Sequence, residues 1–397
     1  MDTKKKKILF INRYFHVGGI QSSLINMANA LCENYDIEML VFHPEGVLKD
    51  RLDPRIKVLK PSWALKAMGL SPKEALKTGN LLIFLFRVLG SLWARVFDNR
   101  LPIYIATKVQ KKLTGYDLAV AFRAETRKNV ITSGYARILD RCVEAKHKAV
   151  WIHYDASALN SSRDFNRKYY KNIDKIVGVS ESVMTAFKEV NRTLSDKMDY
   201  CYNFLNYDDI LRKSEAKQDI EYPEGKFICF SACRLSHEKG INRALDAMMP
   251  VLKNHKDVMW YIAGDGPERE NIESAIKENS LEEQIVLLGN QKNPYNYMEN
   301  ADLYLSTSFQ EAAPMVYMEA KALHVPVFTT RTLSSEEMLR DGAEDFICEN
   351  SVEGIRAKFA ELMDNREAVY DAKNHMSGYR GNNDESMKKI TSWLNEV

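Results

Sequence analysis

The stretch Phe227-Ile-Cys-Phe-Ser-Ala-Cys-Arg-Leu-Ser-His-Glu-Lys-Gly240 reads as an apolar strand, a polar turn carrying Arg234 and Lys239, and a helix opening near residue 241. A second run, Val258-Met-Trp-Tyr-Ile-Ala-Gly-Asp-Gly-Pro-Glu268, is a strand that ends in a Gly-Asp-Gly-Pro turn. Further strand-like runs follow at 285–288, 303–306, 325–328 and 345–347. Upstream the same rhythm appears at 8–12, 37–42, 118–122, 148–152 and 175–179, with helical segments at 21–33 and 182–190 between strands. Alternation of this kind makes βαβ units and parallel sheets, so the expectation is an α/β protein built from two Rossmann-like, doubly wound domains. The polar segment 207–225 reads as the linker. Both quoted turns then lie at carboxyl ends of strands, where open α/β sheets bind ligands.

Between the strands at 303–306 and 325–328 lies Ser308-Phe-Gln-Glu-Ala-Ala-Pro-Met-Val-Tyr-Met-Glu-Ala-Lys-Ala-Leu-His-Val-Pro-Val327. Pro314 suits the first helical position, where its missing N–H costs nothing. Glu311 then falls in the loop before a short helix, and Glu319 projects from the second turn. Free N–H groups at a helix start attract anions. Two carboxylates beside them suit a ligand that carries both phosphates and hydroxyls, such as a nucleotide sugar. Taken singly, either glutamate could be an ordinary exposed side chain, and Arg234 with Lys239 could be a solvated basic turn. His153, in Trp151-Ile-His-Tyr-Asp155, could be a satisfied core histidine, and Gly18-Gly19, in Val17-Gly-Gly-Ile-Gln21, an ordinary strand-to-helix turn.

These motifs, in this order along nearly the whole chain, resemble glycosyltransferase family 4, retaining enzymes of the GT-B fold found in bacterial capsule, exopolysaccharide and cell-wall glycan synthesis. The resemblance implies an N-terminal acceptor domain at 1–206, a nucleotide-sugar domain at 207–380, an interdomain cleft, and a terminal helix at 381–397 that crosses back to the first domain. It implies that Arg234 and Lys239 hold the diphosphate, Glu319 the ribose hydroxyls and Glu311 the donor sugar. Gly18 and Gly19 would approach the donor phosphates and His153 the reacting sugar. Gly264, Pro314 and Met315 complete the implied donor-binding set. Pro314 stands where many members have glycine, and Ala312-Ala313 replace the commoner pair, which leaves the donor sugar open. The donor is expected to be UDP-linked, a substrate rather than a cofactor. Alternatives are a GT-B nucleotide-sugar epimerase and a non-catalytic nucleotide-sugar-binding protein.

Length and composition fit this reading. A chain of 397 residues, 45% hydrophobic, can build two ordinary cores. Six cysteines, at 32, 142, 201, 229, 233 and 348, form no Cys-x-x-Cys pair and accompany no secretory signal, so small buried thiols in a reducing cytoplasm are expected. The sequence contains no Asp-x-Asp, the usual strand-end holder of a divalent metal in transferases. Metal-independent chemistry is therefore expected, with Arg234 and Lys239 supplying the positive charge. No Ser-His-Asp order, His-Glu-x-x-His helix or Walker lysine loop is evident, which removes hydrolase and NTPase readings. Nucleic acid is not an expected partner of a chain whose net charge is only +2.

The segment 60–112 differs from the rest. It holds ten Lys/Arg against two acids, a local net of +8 that leaves −6 for everything else. Within it lies Leu81-Leu-Ile-Phe-Leu-Phe-Arg-Val-Leu-Gly-Ser-Leu-Trp-Ala-Arg-Val-Phe97. Two interior arginines and insufficient length argue against a membrane-spanning helix. The pattern suits either a helix in a membrane interface, with Phe84, Phe86, Trp93 and Phe97 beside flanking cations, or a helix covering the first core. The first alternative makes an anionic membrane surface a partner through 60–112, with a lipid-linked or glycan acceptor and a peripheral position on the inner face of the plasma membrane.

Overall fold

The computed structural model describes residues 5–125, 128–155, 163–340 and 346–396. The chain divides into two compact units, Met1–Leu205 with Asn383–Val397, and Asn206–Asn382.

The first unit is built on a seven-stranded parallel sheet of β1 (Lys7–Tyr14), β2 (Asp36–His43), β3 (Lys57–Leu59), β4 (Leu113–Ala121), β5 (Val143–Ile152), β6 (Lys175–Gly178) and β7 (Met198–Tyr200). Their spatial order is β3-β2-β1-β4-β5-β6-β7, so the winding reverses between β1 and β4. The central strands are apolar on both faces: residues 8–11 of β1 and 149–152 of β5 are buried throughout, as a sheet covered on both sides demands. The two edge strands were not anticipated. Each has three residues, and Lys57-Val-Leu59 and Met198-Asp-Tyr200 show no buried run, because an edge strand is covered on fewer sides than a central one.

The connection from β3 to β4 holds four helices, Trp63–Gly69, Pro72–Lys77, Leu81–Val96 and Arg100–Val109. The helix Asp384–Asn395 also belongs to this unit. Trp393 packs edge-on against Trp151 at 5.8 Å and donates from Nε1 to Asp199 at 2.9 Å. Val397, at the end of the expected helix, lies outside the described residues.

The second unit carries a six-stranded parallel sheet of β8 (Phe227–Ala232), β9 (Val258–Ala263), β10 (Ile285–Gly289), β11 (Leu303–Ser306), β12 (Val327–Thr330) and β13 (Ile347–Cys348). The order is β10-β9-β8-β11-β12-β13, with the reversal between β8 and β11. Asp345, where the last strand was expected to begin, lies outside the described residues. Its core joins Trp260, Ile262, Leu303 and Phe328 of the sheet to Leu245 and Met248 of the helix Ile241–Asn254 and Phe359 of the helix Val352–Asp364.

One expectation is corrected. The segment 207–225 is not simply a linker: Tyr207–Ser214 is a helix of the second unit, capped by Asn206 and tied down where Asn293 Nδ2 donates to the Lys213 carbonyl. Its polarity is that of an exposed helix face, which composition alone does not distinguish from linker. All six cysteines are free; Cys229 is fully buried in β8, and Cys233 sits just beyond the strand rather than on it.

Candidate active site

The second unit gathers its charged candidates at the point where its strand order reverses. Arg234 and Lys239 follow β8, Glu311 follows β11, and Gly264 follows β9, all at carboxyl ends of neighbouring strands. The turn after β8 continues through a short 3-10 segment, His237–Lys239, to Gly240, which starts the helix Ile241–Asn254 at φ +67°. A Cβ on Gly240 would stand 2.2 Å from the Thr307 carbonyl oxygen, so the loops after β8 and β11 touch backbone to backbone. The Thr307 carbonyl also accepts from Arg243 Nη2 at 2.7 Å, and Phe309 N donates to the Glu238 carbonyl at 3.0 Å.

This close approach brings together two residues expected to act separately. Lys239 Nζ lies 2.6 Å from Glu311 Oε1, and Ser308 Oγ donates to the same oxygen at 2.8 Å. Burial pushes the Lys239 ammonium down, but the Glu311 carboxylate outweighs it and holds the group above its ordinary value. Lys239 is therefore a fixed positive charge at any physiological pH. Arg234 is exposed and takes no ion pair among the described residues. The Glu238 carboxyl is held below the usual range chiefly by the neighbouring Ser236 hydroxyl, with the Arg234 charge a lesser cause.

Gly264 has its own reason to be glycine. It adopts φ +142°, and a Cβ there would meet the Cys233 carbonyl oxygen at 1.8 Å. The turn after β9 is laced to the turn after β8 by Leu235 N to Asp265 O and Glu268 N to Leu235 O, each 3.0 Å. The glycine thus serves backbone packing, and by doing so it presses the two turns into one surface.

Glu319 sits on the helix Met315–Ala322, where Tyr295 OH donates to its Oε1 at 3.3 Å. Pro314 is the N-cap rather than the first helical residue, and Met315 opens the helix with no side-chain cap on its first N–H groups. Such a shift of one residue is ordinary at helix ends. Tyr317 OH, hydrogen-bonded to Ser306 and Thr329, pins this helix to the sheet, and Thr330 Oγ1 donates to the Ser308 carbonyl at 2.7 Å to pin the preceding loop.

In the first unit, Gly18 is the N-cap of the helix Gly19–Leu31, directly after β1 at the reversal point of that sheet. Gln21, in its first turn, is buried, and its Nε2 has no partner among the described residues. His153 follows β5, half-buried, with its ring 4.8 Å from that of Phe122. Among the described residues its Nε2 lacks a partner as well. Desolvation, reinforced by the nearby Arg123 charge, pushes the imidazole down to about 3, so it is neutral near pH 7.

Sequence reasoning missed Arg243, Ser308 and Tyr295. Arg243 lies over the Phe309 ring at 3.8 Å, and His237 stacks on that ring at 5.0 Å. They border a cavity of about 150 Å³, lined also by Asn242 and Glu268, that contains none of the expected residues and is too small for a nucleotide sugar. Nothing in the spacing marks these residues, since they meet only through the loop contact at Gly240. Among the described residues, His16, His43 and Glu74, and separately Cys32, Glu33 and Asp53, place possible ligand atoms within 4.8 Å of one another; neither group includes an expected site residue.

Residues 212–382, just under half of the chain, match the family described as "Glycosyl transferases group 1". The chain is 24% identical over 219 residues to the N-acetyl-alpha-D-glucosaminyl L-malate synthase of Bacillus anthracis, covering 54% of this chain and 57% of that enzyme. It is 21% identical over 345 residues to the alpha-monoglucosyldiacylglycerol synthase of Acholeplasma laidlawii, covering 82% and 80%. Several other curated relatives are matched over less than half of their own length. Among solved structures, Anabaena Alr3699/HepE in complex with UDP superposes with a TM-score of 0.65 at 18% identity, over 98% of this chain and 100% of that one. The fold is GT-B.

Proposed function

With residues 212–382 forming a glycosyl transferases group 1 domain, we propose that this protein is a retaining glycosyltransferase that moves a sugar from a UDP-linked donor to a lipid-linked or polysaccharide acceptor. The observation that carries the reading is the gathering of Arg234, Lys239, Glu311 and Gly264 at the strand-order reversal of the second sheet, with Glu319 on the helix that follows. The UDP bound by Alr3699/HepE and the lipid product named for the Acholeplasma relative support the donor and acceptor classes.

Cleaving the bond from the anomeric carbon to the diphosphate leaves negative charge on the departing oxygen, and preorganised positive groups lower that barrier most effectively. Arg234 supplies a bidentate fork to the phosphates and Lys239 a point charge. For the diphosphate to engage Lys239, the ammonium must be shared with or released by Glu311, which frees the Glu311 carboxylate for hydroxyls of the donor sugar. Glu319 accepts from the ribose, and the helix that opens at Met315, just after Pro314, presents uncapped N–H groups beside it. For the first unit the roles proposed, by resemblance, are the donor phosphates for Gly18 and Gly19 and the reacting sugar for neutral His153. The acceptor oxygen forms its new bond on the face the leaving group vacates, while its proton passes to the departing phosphate oxygen. The anomeric configuration is thereby retained.

Because these cations can supply the charge that other transferases take from a metal, activity should persist in EDTA. Complete loss in chelator with recovery on adding Mg²⁺ or Mn²⁺ would overturn that part of the mechanism. NMR of the new linkage tests the stereochemistry: an inverted product rejects the retaining assignment.

A further inference from the structure

The helix Leu81–Val96 has two apolar faces, and the protein covers only one of them. On the covered side Ile83 joins Ala67, Leu70 and Ala75 in a small core, with Trp63, Phe84 and Phe86 packed against it, and Gly90 and Ala94 are buried. Phe84 and Phe86 therefore face inward. On the opposite side Leu81, Leu85, Leu89, Leu92 and Val96 follow one another at spacings of three and four, the period of one helix face, and are 69, 42, 59, 52 and 72% exposed. Trp93 and Phe97, their rings 4.5 Å apart, flank this stripe and are exposed too. Leu101 and Tyr104 of the next helix are likewise exposed. Soluble surfaces scatter such side chains singly; a contiguous run marks an interaction site.

The charge around the stripe indicates the partner. Lys73 and Lys77 precede it, and Arg95, Lys108 and Lys111 lie within or after it, all exposed; Arg100 and Lys112 are held by Asp98 and Glu144. A symmetric pairing with a second copy would set this +8 segment against itself, so charge disfavours self-association. No helix of the described residues is long and apolar enough to cross a membrane, but a leucine stripe framed by cations is the pattern of a helix lying in a bilayer interface.

We propose that this face of the first unit docks the protein on an anionic lipid surface, with Leu85, Leu89 and Leu92 inserted at the headgroup boundary and the surrounding lysines and arginines on the lipid charges. The docking does not depend on the sugar-transfer reading. It is tested by flotation of the full chain with phosphatidylglycerol–phosphatidylcholine vesicles and with phosphatidylcholine alone. The wild type should float with the anionic vesicles at low salt, progressively less as salt rises, and not with the neutral ones. L85D/L89D should cut the bound fraction about tenfold or more, since two leucines that insert in the bilayer are lost, while its melting transition is kept because both positions are exposed in the protein. K108E/K111E should weaken anionic binding in the same direction. Brominated phosphatidylglycerol should quench tryptophan emission in the wild type and less in W93F, which decides the matter if L85D/L89D fails to fold. The proposal fails if the wild type stays unbound at low salt, if L85D/L89D floats as well as the wild type, or if W93F is quenched equally. A wild-type dimer that L85D/L89D converts to monomer, without vesicle binding, would make the face a subunit contact and overturn it.

Discussion

At the scale of single residues, the ion pair of Lys239 with Glu311 is the centre of the account. This ammonium is half-buried, and a carboxylate 2.6 Å away compensates its loss of solvent. Replacing Glu311 by Ala leaves that charge for the diphosphate alone, so titration calorimetry should find UDP bound at least as well as by the wild type, while discrimination among donor sugars falls. Glu319→Ala should weaken UDP and UDP-sugar alike, because ribose belongs to both. Equal weakening of UDP by the two changes would show the roles to be wrongly divided. Arg234→Ala should lower turnover about a hundredfold, the usual loss of one preorganised partner of a developing anion; near-normal turnover would remove Arg234 from the mechanism. His153 offers a pH test. With its folded value near 3 and an unfolded value near 6.5, the unfolded chain binds more protons between those limits, so this residue's contribution costs stability as pH falls through that window. Its imidazole resonances should stay unchanged from pH 8 to about 5, and His153→Gln should make the melting temperature less acid-sensitive there. Titration near 6.5 would contradict this.

At the scale of elements, the central strands were legible because burial on both faces writes them as continuous apolar runs, as in Phe227–Ala232 and Val258–Ala263. The edge strands Lys57–Leu59 and Met198–Tyr200 were not, since three partly exposed residues carry no pattern. The Glu311 loop and Glu319 helix were legible from Pro314 and the apolar spacing around them. The contact that pairs Lys239 with Glu311 was not, because it is made by backbone: Gly240 against Thr307, 67 positions apart, where Thr307 Oγ1 also donates to the Gly240 carbonyl. That contact predicts the effect of Gly240→Ala. A methyl 2.2 Å from a carbonyl oxygen, at positive φ, must push the two loops apart, costing about 1–3 kcal/mol. Calorimetric melting should show the loss, and UDP affinity should fall with it. An unchanged melting temperature would mean that the loops can separate freely.

At the scale of the whole molecule, charge is unevenly placed: the segment 60–112 is strongly basic in a nearly neutral chain, and the helix Leu81–Val96 exposes the apolar face that goes with it. The helix covers the first core with one face and exposes the other; an apolar sequence does not reveal that a helix is apolar on both sides. Both units wind as β-sheets whose strand order reverses once, and in the second unit the charged side chains lie at that reversal. The most direct test is to incubate the protein with a panel of UDP-sugars, with and without membrane extract, and to follow UDP release and the fate of the sugar. The account predicts UDP release that depends on the extract, with the sugar recovered on a lipid-linked or polysaccharide product. Conversion of the sugar without UDP release, or binding of the donors with no turnover under either condition, would contradict it.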